Sequence, residues 1–375
     1  MKTKILRIIK YLLLAMTIMP AMLTFAEENV LRLLVWEGYT PEAYVQKFEE
    51  EIELKYGIPL KIEISYAIND DDFINLTRDK KVDVISITHY SIKDKKFKYI
   101  PRGLILPLDL KNIPNYVNLI PDFKDADYDK DNENIYAIPV ANGPYGLAYN
   151  TKMFKQAPQS WEIFWNPAYK YKYAIGASEY LYNIKITAMV MGYSRDMLSS
   201  FDVLNNKKFR DKLRQLTANA GSFWSGIDKP ENLLGMSIAM VWGDSLTSLR
   251  KMGEEWKMAD PLEGTIWWID EYAITWALEE KPVLKKIAEE WINKSLSLDF
   301  QINHIFGELK AHPIVTFNTE KLPAKEKKVV ENNPELDFFK GKRILQNTYS
   351  QRDKNGLKLM WDKAMEGVPI KRENK

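Results

Sequence analysis

Several tryptophans in this sequence stand close to carboxylates: Trp36 precedes Glu37, Trp242 lies just before Asp244, and Trp268 just before Asp270. An indole face attracts a cation through its ring quadrupole, and a carboxylate accepts the hydrogen bonds of an ammonium. The pairing therefore suits a ligand with apolar methylenes and positively charged ends, each desolvated cation–π contact contributing about 0.5–2 kcal/mol. Ordinary core tryptophans with solvated acids nearby have the same composition, so the elements that carry these residues must decide between the two.

Other chemistries find less support. The sequence has no Cys, which excludes thiolate and disulfide mechanisms. His89, His304 and His312 lack the spacing of a helical zinc site and neighbour no nucleophile motif. Asp125, Asp127, Asp129, Asp131 and Glu133 alternate like a calcium loop, but neither possible start gives Gly at the sixth position or Glu at the twelfth. They read as a solvated acidic loop, and neither a metal nor a cofactor is expected. Gly143-Pro144-Tyr145-Gly146 is too poor in glycine to cradle a phosphate, and Lys321 to Lys328 reads as an exposed helix end. Trp161, Trp165 and Tyr169 repeat every four residues, as core aromatics do. Carboxylates beside tryptophans also mark exported glycosidases, but these acids follow no catalytic motif, so no enzyme is expected. The formal charge of +2 argues against nucleic acid as a partner.

The positioning elements are legible from periodicity. Val30 to Val35 is an apolar strand, and Thr40-Pro41-Glu42 looks like an N-cap with proline at the first helical position. Tyr44, Val45, Phe48 and Ile52 recur at helical spacing until Gly57; Leu60 to Tyr66 alternates as a strand, Asp70 to Lys80 reads as a helix, and Val82 to Ile87 as a third strand. This alternation implies a largely parallel sheet, in which ligands bind beyond the carboxyl ends of the strands. Trp36-Glu37-Gly38-Tyr39 and Thr88-His89-Tyr90-Ser91 fall at such ends. Later, the strand Ser237 to Val241 runs into Trp242-Gly243-Asp244, and in the extended run from Gly264, Trp268 and Asp270 share one side. Without a Gly/Ser/Pro-rich linker, lobes sharing crossing strands are expected rather than separate beads, with a cleft between them.

Residues 1–26 are expected to be an export leader. Lys2, Lys4, Arg7 and Lys10 precede an apolar run from Tyr11 to Phe25 that ends at Ala26. Removing those four bases from 53 leaves 49 against 51 acids, a slightly acidic mature chain. With no Cys at the cleavage point, a freely soluble, unanchored monomer is expected, retained in the periplasm.

At these residues the sequence resembles the spermidine/putrescine-binding proteins, the extracytoplasmic receptors of polyamine ABC importers. The likeness runs through Trp36-Glu37-Gly38-Tyr39, Tyr136-Ala137-Ile138-Pro139, Ser160-Trp161, Trp165-Asn166-Pro167, Gly192-Tyr193-Ser194, Met240-Val241-Trp242, Trp268-Ile269-Asp270 and Leu345-Gln346-Asn347. It implies an α/β fold of the type II periplasmic binding architecture, two lobes closing on a ligand, and delivery of that ligand to an inner-membrane permease. We expect lobe one over 27–143 plus 271–318 and lobe two over 144–270 plus 319–375, hinged near Pro139 to Gly146 and Asp270 to Thr275. By resemblance Trp36, Tyr39, Tyr90, Trp242 and Trp268 form an aromatic box, Asp270 and Glu179 grip amines, and Thr88 and Gln346 add polar contacts. Glu37 and Asp244 complete the candidate acids. The family's acid two residues after the first Trp is replaced here by Gly38, and a further acid by Tyr182. Fewer carboxylates hold fewer ammonium groups, so a small organic cation is expected, with a neutral sugar or peptide as the alternative.

Overall fold

A computed structural model describes residues 29–369 apart from 69, 93, 95, 125–128, 333–341 and 347. The leader, part of the acidic loop and Asn347 thus lie outside the described residues.

The amino-terminal part follows the periodicity closely. Strand β1 (Val30–Val35) is followed by helix α1 (Glu42–Tyr56), which buries Val45, Phe48 and Ile52 and ends where Gly57 adopts φ 67°. That left-handed cap lets the Gly57 N–H donate to the Glu53 carbonyl, and glycine adopts it without penalty. Strand β2 (Lys61–Tyr66) pairs parallel to β1; helix α2 (Asp70–Arg78) opens on Asp70, Asp71 and Asp72, charges that suit a helix amino terminus. Strand β3 (Val84–Thr88), wholly buried, also runs parallel to β1 and passes straight into the turn His89–Ile92. The cap of α1 corrects the expectation: Pro41 occupies the cap position without a side-chain hydrogen bond, and the Thr40 hydroxyl faces the Tyr272 hydroxyl at 3.4 Å instead.

Two short strands, β4 (Lys130–Asp131) and β5 (Asn134–Ile135), form a separate hairpin where the acidic loop was read. The long strand β6 (Ala137–Asn150) follows, then β7 (Tyr173–Gly176), helix α3 (Tyr180–Val190), helix α4 (Lys207–Ala218) and β8 (Ser222–Trp224). Next come β9 (Ile238–Val241), helix α5 (Asp244–Lys251), β10 (Trp256–Met258), β11 (Thr265–Ile274), helix α6 (Pro282–Ser295), β12 (Arg343–Leu345) and helix α7 (Gln351–Met365).

One sheet connects them in the order β2-β1-β3-β11-β6-β9-β7-β8, with β10 on β6 and β12 on β11. The strands β6 and β11 are antiparallel and shared by both halves. Their adjoining segments pair with each other; β11 then joins β3 through Asp270 to Ile274, and β6 joins β9 through Gly146 to Tyr149. The apolar core divides at the same place. Residues up to Ala141 and from Ile269 to Val315 pack with β1 and α1, whereas Tyr145 to Ile266 pack with Ile344, Leu357 and Trp361. This is the two-lobed α/β arrangement expected. Helix Ala324–Glu331 packs on 300–306, where Asn303 donates to Glu326, and Arg250 donates to the Asn332 carbonyl at its end. Trp161 is a core residue, and Trp165 packs against the same core with its indole N–H on the Lys212 carbonyl.

Candidate functional site

Asp270 occupies the junction. It sits on β11, facing Thr88 on β3 and Ala141 on β6, and the register shifts immediately after it. Only 7% exposed, it accepts hydrogen bonds from the Tyr39 hydroxyl at 2.6 Å and the Thr88 hydroxyl at 2.7 Å. Among the described residues no cation forms an ion pair with it. Burial pushes its pKa up to about 6, against the two hydroxyls, which favour the charged form. A carboxylate offers about four acceptor positions, so Asp270 retains capacity for further donors.

Local geometry explains why Tyr39 reaches it and Glu37 does not. The Tyr39 N–H donates to the Trp36 carbonyl across a tight turn, with Gly38 at φ 90°. The turn brings Tyr39 back over the sheet end and leaves Glu37 exposed. Glu37 therefore stands apart from the hydrogen-bonded group of Tyr39, Asp270 and Thr88. Trp36 turns its ring edge-on to Phe73 at 4.8 Å. Trp268, two residues before Asp270, lies on the bare backbone of Gly143: a Cβ there would stand 2.6 Å from its Cζ2 atom.

The second half contributes an aromatic group. Trp242 lies 4.8 Å from Tyr145 and 4.9 Å from Tyr182 by ring centroids, and its indole N–H donates to the Gly226 carbonyl. Glu179 stands at the amino end of α3, its pKa raised to about 7 by burial, and its charge reaches Tyr145 and Tyr182. Asp244 is raised to about 7 by burial and then by the charge of Asp228. Charges on Asp270 and Asp244 both raise the Tyr39 phenol, so the two acids approach one tyrosine from opposite halves. Tyr90 hydrogen-bonds Asp70 at 3.5 Å, and Lys354 on α7 pairs with the same carboxylate at 3.4 Å, tying the halves together beside the cleft.

Gln346 is buried between the halves. Its backbone carbonyl lies 3.2 Å from His89 Nε2, and its side-chain oxygen accepts from Lys185 at 3.1 Å and Tyr349 at 3.2 Å. Sequence reading missed Asp70, Tyr145, Lys185, Asp228 and Tyr349 as neighbours of the cleft. Lys185 left a signal: it is the one charged residue of α3, a helix whose remaining sequence, YLYNI and ITAMV, is mostly apolar and buried. Asp228 left none, because its partners are backbone N–H groups and the hydroxyl of Ser245, all more than ten residues away in sequence. No cluster among the described residues is suited to a metal.

The arrangement can hold an ammonium-bearing molecule between two lobes without covalent chemistry. Comparison with known proteins identifies the family. Residues 79–336 match the family described as bacterial extracellular solute-binding protein. The spermidine/putrescine-binding periplasmic protein 1 of Haemophilus influenzae is 24% identical over 88% of this chain and 86% of its own. A putative spermidine/putrescine ABC transporter structure from Listeria monocytogenes superposes with TM-score 0.68 at 19% identity, over 90% of this chain and 99% of the other. A GABA receptor structure superposes with TM-score 0.66 at 15% identity, over 92% of this chain and 100% of the other.

Proposed function

The chain belongs to the bacterial extracellular solute-binding proteins, a family of ligand receptors rather than enzymes, and from that premise we propose that it captures a small organic ammonium compound for an ABC importer. The observation that carries this reading is Asp270: a buried carboxylate with two hydroxyl donors, no cation of its own among the described residues, and Trp268 beside it. Burying a carboxylate without a counter-charge is costly, and a ligand ammonium removes that cost on arrival. Glu179 and Asp244, both raised toward neutrality by burial, supply further acceptors, and Trp242, Tyr145 and Tyr182 supply faces for methylenes. The names of the Haemophilus and Listeria relatives favour an amine.

In this reading closure follows from the ligand's greater affinity for the closed form, with β6 and β11 bending where the core changes sides. Residues 1–26 serve as the export leader, the mature chain works as a periplasmic monomer, and the permease receives the closed form.

The test is a thermal-shift panel of polyamines, amino acids and sugars on protein lacking residues 1–26, since a ligand specific for the native state raises the melting temperature. Stabilisation by ammonium compounds that added salt weakens is expected. A sugar that stabilises regardless of salt would establish the neutral alternative in its place.

A further inference from the structure

One buried group between the two halves is of no use to a purely cationic ligand. Lys185, in the middle of α3, is 2% exposed. Its ammonium donates to the Gln346 side-chain oxygen and lies 4.9 Å from the centre of the Tyr349 ring. No carboxylate among the described residues pairs with it; burial, and secondarily Arg195, pull its pKa down to about 7. An ammonium carries three donors and no acceptor, so most of its hydrogen-bonding capacity is unused.

Gln346 points the same way. Itself only 4% exposed, it spends its side-chain oxygen on Lys185 and Tyr349, which leaves its buried amide nitrogen, beside the Tyr182 phenol, with donor capacity to spare. Reversing the amide would set its NH2 against the lysine ammonium, so the chemistry fixes the orientation. Two adjacent buried donors with hydrogen-bonding capacity to spare are costly to maintain, and one carboxylate serves both while neutralising the lysine. The position relative to Asp270 is defined by one imidazole: His89 Nε2 lies 3.2 Å from the Gln346 carbonyl and His89 Nδ1 3.2 Å from the carbonyl of Ile269, the residue before Asp270.

We propose that the ligand is bipolar, an amino carboxylate whose ammonium meets Asp270 and whose carboxylate meets Lys185 and the Gln346 amide. This rests on the reading of Asp270 as an ammonium acceptor. A diamine of similar length brings a second positive charge toward Lys185, and such like-charge placement is a strong means of rejecting the wrong ligand.

The experiment is calorimetry and thermal shift with ω-amino carboxylates of three to six carbons, the corresponding diamines, and simple carboxylates, on wild type, Lys185→Gln and Asp270→Asn. In wild type an amino carboxylate is expected to bind at least about tenfold more tightly than every diamine. Lys185→Gln is expected to lower that affinity by about tenfold or more and to leave diamine binding unchanged or stronger. A diamine binding wild type as well as or better than the amino carboxylates overturns the proposal, whether or not Lys185→Gln folds, and so does no binding by any amino carboxylate. Asp270→Asn separates the two readings. Amino carboxylate binding unaffected by Asp270→Asn but lost in Lys185→Gln rejects the ammonium site, and with it the bipolar assignment built on it. Amino carboxylate binding lost in Asp270→Asn but unchanged in Lys185→Gln rejects only the bipolar assignment.

Discussion

Asp228 and Asp270 are both buried aspartates without an ion-pair partner among the described residues, one in each half of the molecule, and they are held very differently. Asp228 accepts from the backbone N–H groups of Trp242, Gly243 and Ser245, at 2.7 to 3.1 Å, and from the Ser245 hydroxyl at 2.5 Å. All of its acceptor capacity is used to hold the loop that presents Trp242 and starts α5. Asp270 receives only two hydroxyls, from Tyr39 and Thr88, each able to rotate toward a newcomer. A third case bounds the pair: Asp83, equally buried, is matched by the Arg32 guanidinium at 2.6 Å. A saturated acid builds structure and a half-saturated one can still accept a donor, so acceptor capacity left over, rather than burial itself, is what the proposed site offers a ligand.

The most damaging change on the structural side of this contrast is Asp228→Ala. It strands three buried backbone donors and is expected to cost roughly 3–5 kcal/mol of stability, read from the urea midpoint. A loss below about 1 kcal/mol would show that water replaces the carboxylate and would erase the distinction. Next in size is pH. Asp270 near 6, and Glu179 and Asp244 near 7, are raised above their unfolded values. Their protonated forms therefore favour folding: the contribution is complete below the unfolded carboxylate range, near pH 4, and lost as pH rises through 6 to 7. An ammonium ligand needs the ionised forms, so its affinity should climb from pH 5 to 8, by up to roughly tenfold per unit for each acid that ionises on binding. A flat calorimetric profile would mean that none of the three meets the ligand's charge.

Gly143→Ala sharpens the comparison on the binding side. The added methyl would stand 2.6 Å from Trp268, and displacing that indole should cost about 1–3 kcal/mol in affinity. Gly146→Ala is the control, because its nearest obstacle is the flexible Met258 thioether, and equal losses from both would deny Trp268 a special role. The smallest effect is expected from Lys354→Ala, which removes a cross-lobe pair with Asp70 worth about 0.5–1 kcal/mol. Its contribution should fade in high salt when stability is measured by chemical denaturation.

Why some of this was legible in the sequence follows from the range of the interactions. β1, α1, β2, α2 and β3 are set by local periodicity and a glycine stop, and their limits fall within a few residues of expectation. Tyr39 and Thr88 could be named because each stands at or near a strand end, where an α/β sheet places its ligand, whereas Asp270, in the middle of β11, could be named from its place beside Trp268 and from the family resemblance. Glu37 lies apart from them because a single turn residue, Gly38, reverses the chain and leaves its neighbour exposed. Asp228 and Lys185 were missed for a different reason: their roles depend on backbone N–H groups and a glutamine more than ten residues away in sequence, which no spacing rule records.

The account stands or falls on the spare acceptor capacity of Asp270. Calorimetry of wild type and Asp270→Asn with the tightest-binding ammonium compound tests it directly. Because the change removes one member of a buried charge pair at nearly constant shape, affinity should fall by about 2–5 kcal/mol while the melting temperature of the ligand-free protein stays or rises. Equal affinity in the two proteins would contradict it, and would place the ligand's charge elsewhere in the cleft.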